Sequence, residues 1–93
     1  MLTHIDGEDR GKIVLYALST CLWCRKTREL LDKLQVAYDY VYIDQLGEEE
    51  RAETTDEVAK WNPDRTFPTI IIDDNCIVGY EADKIQAALH KWK

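Results

Sequence analysis

The sequence lacks any apolar stretch long enough to cross a membrane. Its longest uninterrupted apolar run is Ile13–Leu18, whereas a transmembrane helix needs about 20 such residues. The opening residues, MLTHIDGEDRGK, also lack the apolar centre of a secretory signal. We therefore expect a cytoplasmic protein with no membrane partner.

The sequence is also short of positive charge. Its 12 basic residues face 18 acidic ones, which gives a formal net charge of −6. Nucleic-acid binding relies on clustered Lys and Arg side chains that contact phosphates, so nucleic acid is not an expected partner. An acidic chain is more compatible with a small-molecule substrate or with a basic protein surface.

Cysteine is scarce, and its number excludes one class of protein. Three cysteines are odd in number and too few for the disulfide framework of a small secreted domain. With 45% hydrophobic residues, the 93-residue chain can bury a core of its own. We interpret residues 1–93 as a single domain, with residues 1–11 as a loose lead-in, and we expect a monomer.

What the sequence does contain is a regular succession of strand and helix patterns. Apolar or alternating runs rich in β-branched and aromatic residues predict strands at 12–18, 37–43, 68–73 and 76–79. Apolar residues at helical spacing predict helices at 22–35, at 47–61 and from residue 81 onward. The order β-α-β-α-β-β-α predicts an α/β protein with a four-stranded mixed sheet and helices on both faces.

Two of the cysteines, Cys21 and Cys24, stand at the first strand-to-helix junction, in STCLWCRK. The start of a helix stabilises an anion, and the thiolate is the reactive form of cysteine. Cys24 lies within disulfide reach of Cys21, and its helical neighbours Thr27 and Leu31 predict that it is the more buried of the two. This asymmetry favours a division of roles, in which Cys21 attacks a substrate disulfide and Cys24 resolves the mixed disulfide. A redox-active Cys21–Cys24 disulfide would carry the electrons, so no tightly bound cofactor is expected.

Other interpretations of the cysteine pair stay open at this point. A structural zinc site would need a second close pair of ligands, and only Cys76, His4 and His90 remain, so no metal site is expected. An iron–sulfur cluster bridged across a dimer, with Cys21 as a ligand, is the alternative function, because each chain would supply only part of the ligands. A redox sensor that docks through the acidic second helix is a weaker hypothesis. Cys76 itself is expected to be a small buried packing residue.

Three motifs together resemble the glutaredoxins of the thioredoxin superfamily: YALSTCLWC, RTFPT (Arg65–Thr69) and IVGYEAD (Ile77–Asp83). The resemblance implies the thioredoxin fold and a thiol–disulfide oxidoreductase that reduces protein or low-molecular-weight disulfides. It also implies a cis proline at Pro68 and a turn at Gly79–Tyr80 that receives substrate. Trp23 is also expected to contact substrate, because it stands between the two cysteines. The predicted substrate-binding residues are Trp23, Thr66, Phe67, Pro68, Gly79 and Tyr80.

The sequence departs from the family pattern beside the cysteines. Leu22 stands where a proline commonly follows the first cysteine, and Leu18 stands where glutathione-using members usually carry a lysine. The VGYEAD motif is closer to the redoxins that thioredoxin reductase recharges. The resemblance therefore leaves two electron donors open, a glutathione-type thiol and an upstream reductase.

Overall fold

The structure, a computed structural model, describes residues 2–91 and forms one mixed sheet with three helices. Residues 1, 92 and 93 of the predicted domain lie outside the described residues. The elements in chain order are β1 (Thr3–Ile5), β2 (Ile13–Ala17), α1 (Leu22–Lys33), β3 (Tyr38–Tyr42), a 3₁₀ turn (Ile43–Gln45), α2 (Glu48–Trp61), β4 (Thr69–Ile72), β5 (Asn75–Val78) and α3 (Ala82–Lys91). Within residues 2–91, no helix is both long and apolar enough to span a membrane.

The sheet has the strand order β1-β3-β2-β4-β5. β2 and β3 are parallel, as the helical crossover between them requires, and the other neighbouring pairs are antiparallel. The hairpin between β4 and β5 turns at Asp73-Asp74, one residue earlier than its sequence suggests, with Asp73 in the left-handed region at φ 53°. The predicted α/β class is therefore confirmed, with every predicted helix and strand present.

The sheet has five strands instead of the predicted four, because residues 1–11 are not a loose lead-in throughout. Thr3–Ile5 pairs antiparallel with β3 at its outer edge. Ile5 packs against the core, and His4 Nδ1 lies 2.7 Å from Asp39 Oδ1 on the adjacent strand. Three residues are too few to show a two-residue periodicity, so only the tertiary contacts reveal this strand.

Two apolar clusters lie on opposite sides of the sheet. Alternate residues of β2 face opposite ways, and Leu15 belongs to the larger cluster whereas Tyr16 packs against the smaller one. Helices α1 and α3 contribute to the larger cluster, and α2 contributes Val58 to the smaller one. The predicted placement of helices on both faces is thus confirmed. The buried members of the larger cluster are Ile13, Leu15, Ala17, Cys24, Leu31, Val36, Tyr38, Ile70, Ile72, Ile77, Ile85 and Leu89.

Arg28 on α1 contacts three tyrosines of β3. Its guanidinium donates hydrogen bonds of 3.1 Å to the hydroxyls of Tyr38 and Tyr42, and its central carbon lies 3.9 Å from the centre of the Tyr40 ring. The Tyr38 hydroxyl in turn donates to Asp32 on the same helix, at 2.7 Å. Stacking of a guanidinium on an aromatic face adds to these polar contacts. The helix that begins after Cys21 and carries Cys24 is therefore held in a fixed orientation against β3.

Candidate active site

Cys21 occupies the N-cap position of α1. Its backbone is extended (φ −89°, ψ 119°), and its Sγ accepts a hydrogen bond from the backbone N–H of Cys24 at 3.2 Å. An N-cap side chain normally satisfies one of the free N–H groups at a helix start, and here a sulfur takes that role. The same N–H groups and the helix dipole favour negative charge at this point. The sulfur is half-buried and carries no disulfide, so it is open to a reaction partner.

Cys24 lies one helical turn behind Cys21 and is fully buried. Its exposed fraction is 0%, and Thr27 and Leu31 on the same side of α1 are buried with it. Burial, followed by the hydrogen bond with Cys21, raises the pKa of Cys24 to about 12. The predicted asymmetry in burial is therefore confirmed. At neutral pH Cys24 keeps its proton, and only Cys21 can meet a bulky substrate from outside.

The loop before β4 lies near the start of α1, because the start of β4 is paired with the end of β2. Thr69 lies opposite Tyr16, so the preceding residues adjoin the segment that leads into α1. The Phe67–Pro68 peptide bond is cis, as the family resemblance implied. Pro68 is buried, Phe67 is half-buried and Thr66 is exposed. Among residues 2–91, neither the N–H nor the C=O of Phe67 has a hydrogen-bond partner, which leaves one donor and one acceptor for another chain.

The turn between β5 and α3 closes the same corner of the sheet. Gly79 adopts φ 84°, a conformation that glycine accepts readily, and its N–H donates to the Pro68 carbonyl at 2.8 Å. Tyr80 then stacks on Trp23, with ring centres 5.8 Å apart and planes 20° from parallel. Trp23 is 54% exposed. The structure thus brings the predicted residues of three separate segments together around Cys21.

Two residues of this corner were not predicted from the sequence. The carboxylate of Asp44 accepts hydrogen bonds from both the backbone N–H and the hydroxyl of Ser19, which fixes the loop before Cys21. These bonds hold the pKa of Asp44 below its ordinary value. Asn62, at the C-cap of α2, is 4% exposed and bonds to the loop before Pro68. In the sequence Asn62-Pro63 indicated only the end of a helix, and Asp44 gave no signal, because its partner is 25 residues away.

The third cysteine and the two basic residues after Cys24 lie apart from this corner or on its outer surface. Cys76 is half-buried on β5 opposite Ile71, and burial raises the pKa of its thiol. Arg25 and Lys26 are exposed on the first turn of α1, and neither forms an ion pair within the described part of the chain. Cys76 is therefore not placed to exchange with the Cys21–Cys24 pair.

Comparison with known proteins agrees with this geometry. The family model described as Glutaredoxin matches residues 13–77. Glutaredoxin 1 of Rickettsia bellii is 38% identical over 77 residues, covering 77% of this chain and 76% of that relative. The crystal structure of a glutaredoxin from Methanosarcina mazei superposes with a TM-score of 0.88 at 47% identity, covering 95% of this chain and 86% of the other.

A second solved structure is similarly close. The methanoredoxin of Methanosarcina acetivorans superposes with a TM-score of 0.87 at 49% identity, covering 89% of this chain and 88% of the other. The family match spans most of the chain, and it includes both Cys21 and Cys24 as well as Pro68. The chain therefore belongs to the glutaredoxin family of thiol–disulfide oxidoreductases.

Proposed function

We propose that this chain reduces protein disulfides by a dithiol mechanism, with Cys21 as the nucleophile and Cys24 as the resolving thiol. The observation that carries the proposal is the sulfur of Cys21 at the helix N-cap, 3.2 Å from the Cys24 amide, with a fully buried thiol behind it. One sulfur is accessible and held where negative charge is favoured. The other is shielded from solvent and lies within disulfide reach.

In the first step the Cys21 thiolate attacks one sulfur of the substrate disulfide. A bond forms between Cys21 Sγ and that sulfur, the substrate S–S bond breaks, and the other substrate sulfur leaves as a thiolate that takes a proton from water. The buried position of Cys24 keeps it from competing in this step. The intermediate is a mixed disulfide between Cys21 and the substrate.

In the second step Cys24 attacks Cys21 Sγ. Its proton passes to the departing substrate sulfur, the mixed disulfide breaks, and a Cys21–Cys24 disulfide forms, so that two electrons have moved from the protein to the substrate. Formation of the mixed disulfide also removes the Cys21 thiol as a hydrogen-bond partner, the second cause of the raised pKa of Cys24. The resolving thiol is therefore less strongly held in its protonated form once substrate is attached.

The rim around Cys21 supports an extended polypeptide as substrate. The unpaired N–H and C=O of Phe67 offer the pattern that a passing strand can match. The stacked Trp23–Tyr80 pair and the exposed Leu22 provide apolar contact area next to the nucleophile in the chain. We assign substrate binding to Trp23, Thr66, Phe67, Pro68, Gly79 and Tyr80 on this basis. Small disulfides react at the same sulfur without using the rim.

A reducing compartment such as the cytoplasm suits a dithiol enzyme of this kind, and we propose that it acts there as a monomer. A glutathione-type thiol or a reductase would return the internal disulfide to the dithiol. Leu18 offers no positive charge for a glutathione carboxylate, which favours a reductase. Rates of reduction of the oxidised protein by glutathione and by a thioredoxin reductase, measured side by side, decide between the two donors.

Replacement of each cysteine tests the mechanism. Cys21→Ser should abolish disulfide reduction, and Cys24→Ser should leave a protein that captures substrate but turns over slowly. Cys76→Ser is the matched control and should retain the wild-type rate, because Cys76 lies on β5 away from the pair. Substantial activity in Cys21→Ser would refute the proposed roles.

A further inference from the structure

Asn62 occupies a position where every one of its polar groups is used. Its side-chain Nδ2 lies 3.1 Å from each of three oxygens: the carbonyl of Thr66, the hydroxyl of Thr66 and the hydroxyl of Thr69. Its Oδ1 accepts from the N–H of Asp64 at 3.2 Å. The residue is 4% exposed. A buried polar side chain is tolerated when all of its hydrogen-bonding groups have partners. Ending a helix does not by itself require a side chain with this many hydrogen bonds, so Asn62 needs a further explanation.

The backbone of Asn62 is equally engaged. Its N–H donates to the Val58 carbonyl at 2.7 Å, which ends α2, and its C=O accepts from the N–H of Arg65 at 2.9 Å. Arg65 follows in the left-handed region at φ 54°. Asn62 therefore ties the last turn of α2 to the loop before Pro68 and to the first residue of β4.

The consequence for the active site comes from the geometry of one peptide group. The Thr66 carbonyl accepts two bonds from the protein interior, one from Asn62 and one of 2.7 Å from the hydroxyl of Thr69. The Thr66 carbonyl and the Phe67 N–H belong to the same planar trans peptide group, in which C=O and N–H point in opposite directions. Fixing the carbonyl inward therefore fixes the direction of the Phe67 N–H, which has no partner within the described residues.

We propose that Asn62 is a positioning residue that sets how tightly the site binds extended polypeptide disulfides, and that it takes no part in the sulfur chemistry. The inference rests on the proposed function, because it requires a substrate strand to accept the Phe67 N–H. An amide suits the task, since the two N–H groups of Nδ2 are shared among three acceptor oxygens. A carboxylate would instead place an acceptor against those same oxygens.

The test compares two substrates that differ in backbone. One is a peptide containing a disulfide, which offers carbonyls to the Phe67 N–H, and the other is 2-hydroxyethyl disulfide, which has no peptide group. Asn62→Ala should raise the KM for the peptide by roughly fivefold to tenfold, the usual effect of one lost or misdirected hydrogen bond. Its kcat/KM for 2-hydroxyethyl disulfide should stay within about twofold of wild type. Asn62→Asp should show the same split, more strongly.

Two controls and a second test variant accompany this comparison. Asn75→Ala removes an exposed asparagine on β5 and should change neither substrate. Thr69→Val removes the second donor to the Thr66 carbonyl with little change in shape, so it should reproduce the split even if Asn62→Ala does not fold. The rate of Cys21 alkylation should be the same in all variants.

The outcomes separate the two proposals. Equal losses on both substrates, or no loss on either, would overturn the role of Asn62 while leaving the dithiol mechanism intact. A wild-type protein that reduces neither substrate would overturn the proposed function itself.

Discussion

The strongest quantitative consequence of the structure concerns the unequal reactivity of the thiols toward an alkylating agent. Burial and the hydrogen bond with Cys21 raise the pKa of Cys24 from an ordinary value of 9.0 to about 12. Since only the thiolate reacts, and each tenfold change in its population corresponds to one pKa unit, the thiolate fraction of Cys24 falls about 1,000-fold at any pH well below 9. Its complete burial slows the approach of the reagent further.

The assay is site-resolved mass spectrometry of the reduced protein after brief exposure to a small amount of iodoacetamide at about neutral pH. We expect the label at Cys21 first, a weaker signal at Cys76, whose pKa is also raised by burial, and essentially none at Cys24. A peptide containing one free cysteine provides the reference rate. Labelling of Cys24 within about tenfold of that reference would refute the reasoning from burial to protonation.

Two further predictions concern the substrate rim and the added strand. Trp23→Ala removes an exposed ring that offers contact area to the substrate, and an aromatic contact is worth about 0.5–1.5 kcal/mol, so the KM for a peptide disulfide should rise roughly threefold to tenfold; Asn75→Ala, on the hairpin between β4 and β5, is again the control and should leave that KM unchanged. His4 bonds to Asp39, with Asp6 on its other side, and these carboxylates raise its pKa above 6.5. The contact between protonated His4 and these carboxylates therefore stabilises the folded state fully below pH 6.5. This stabilisation is lost as the pH rises through the raised pKa of His4. The difference in unfolding midpoint between wild type and His4→Ala should be larger at about pH 5.5 than at about pH 8.5, and equal differences would contradict this sign.

The sequence predicted those parts of the fold that repeat a pattern over several residues. β2 is a continuous apolar run and α1 has apolar residues at helical spacing, so both were identified nearly to their ends. β1 was missed because three residues carry no period, and its position depends on pairing with β3. Strand count was therefore wrong by one while the class of fold was right.

The same distinction between local patterns and long-range contacts applies to the candidate site. The cysteine spacing and the burial of Cys24 follow from one helix and were visible in the sequence. The placement of Trp23 against Tyr80 and the network of Asn62 depend on residues that are distant in sequence or on a loop without regular periodicity. No local rule joins these residues. The cis form of Pro68 came from family resemblance, because only a small fraction of such bonds is cis.

The alternative of an iron–sulfur cluster stays a prediction. The structure places Cys24 with no exposed surface, so Cys21 is the member of the pair that could reach a ligand at a dimer interface. Anaerobic reconstitution with iron and sulfide, followed by absorption spectra and gel filtration, tests this alternative. A coloured dimer would support it, and a colourless monomer would contradict it.

The central claim is that Cys21 captures the substrate and Cys24 releases it. The most direct measurement is to react Cys24→Ser with a disulfide-containing peptide and to map the product by mass spectrometry. We predict a stable mixed disulfide on Cys21 alone, in an amount that approaches one per chain. A peptide attached to Cys76, or no trapped peptide at all, would contradict the account.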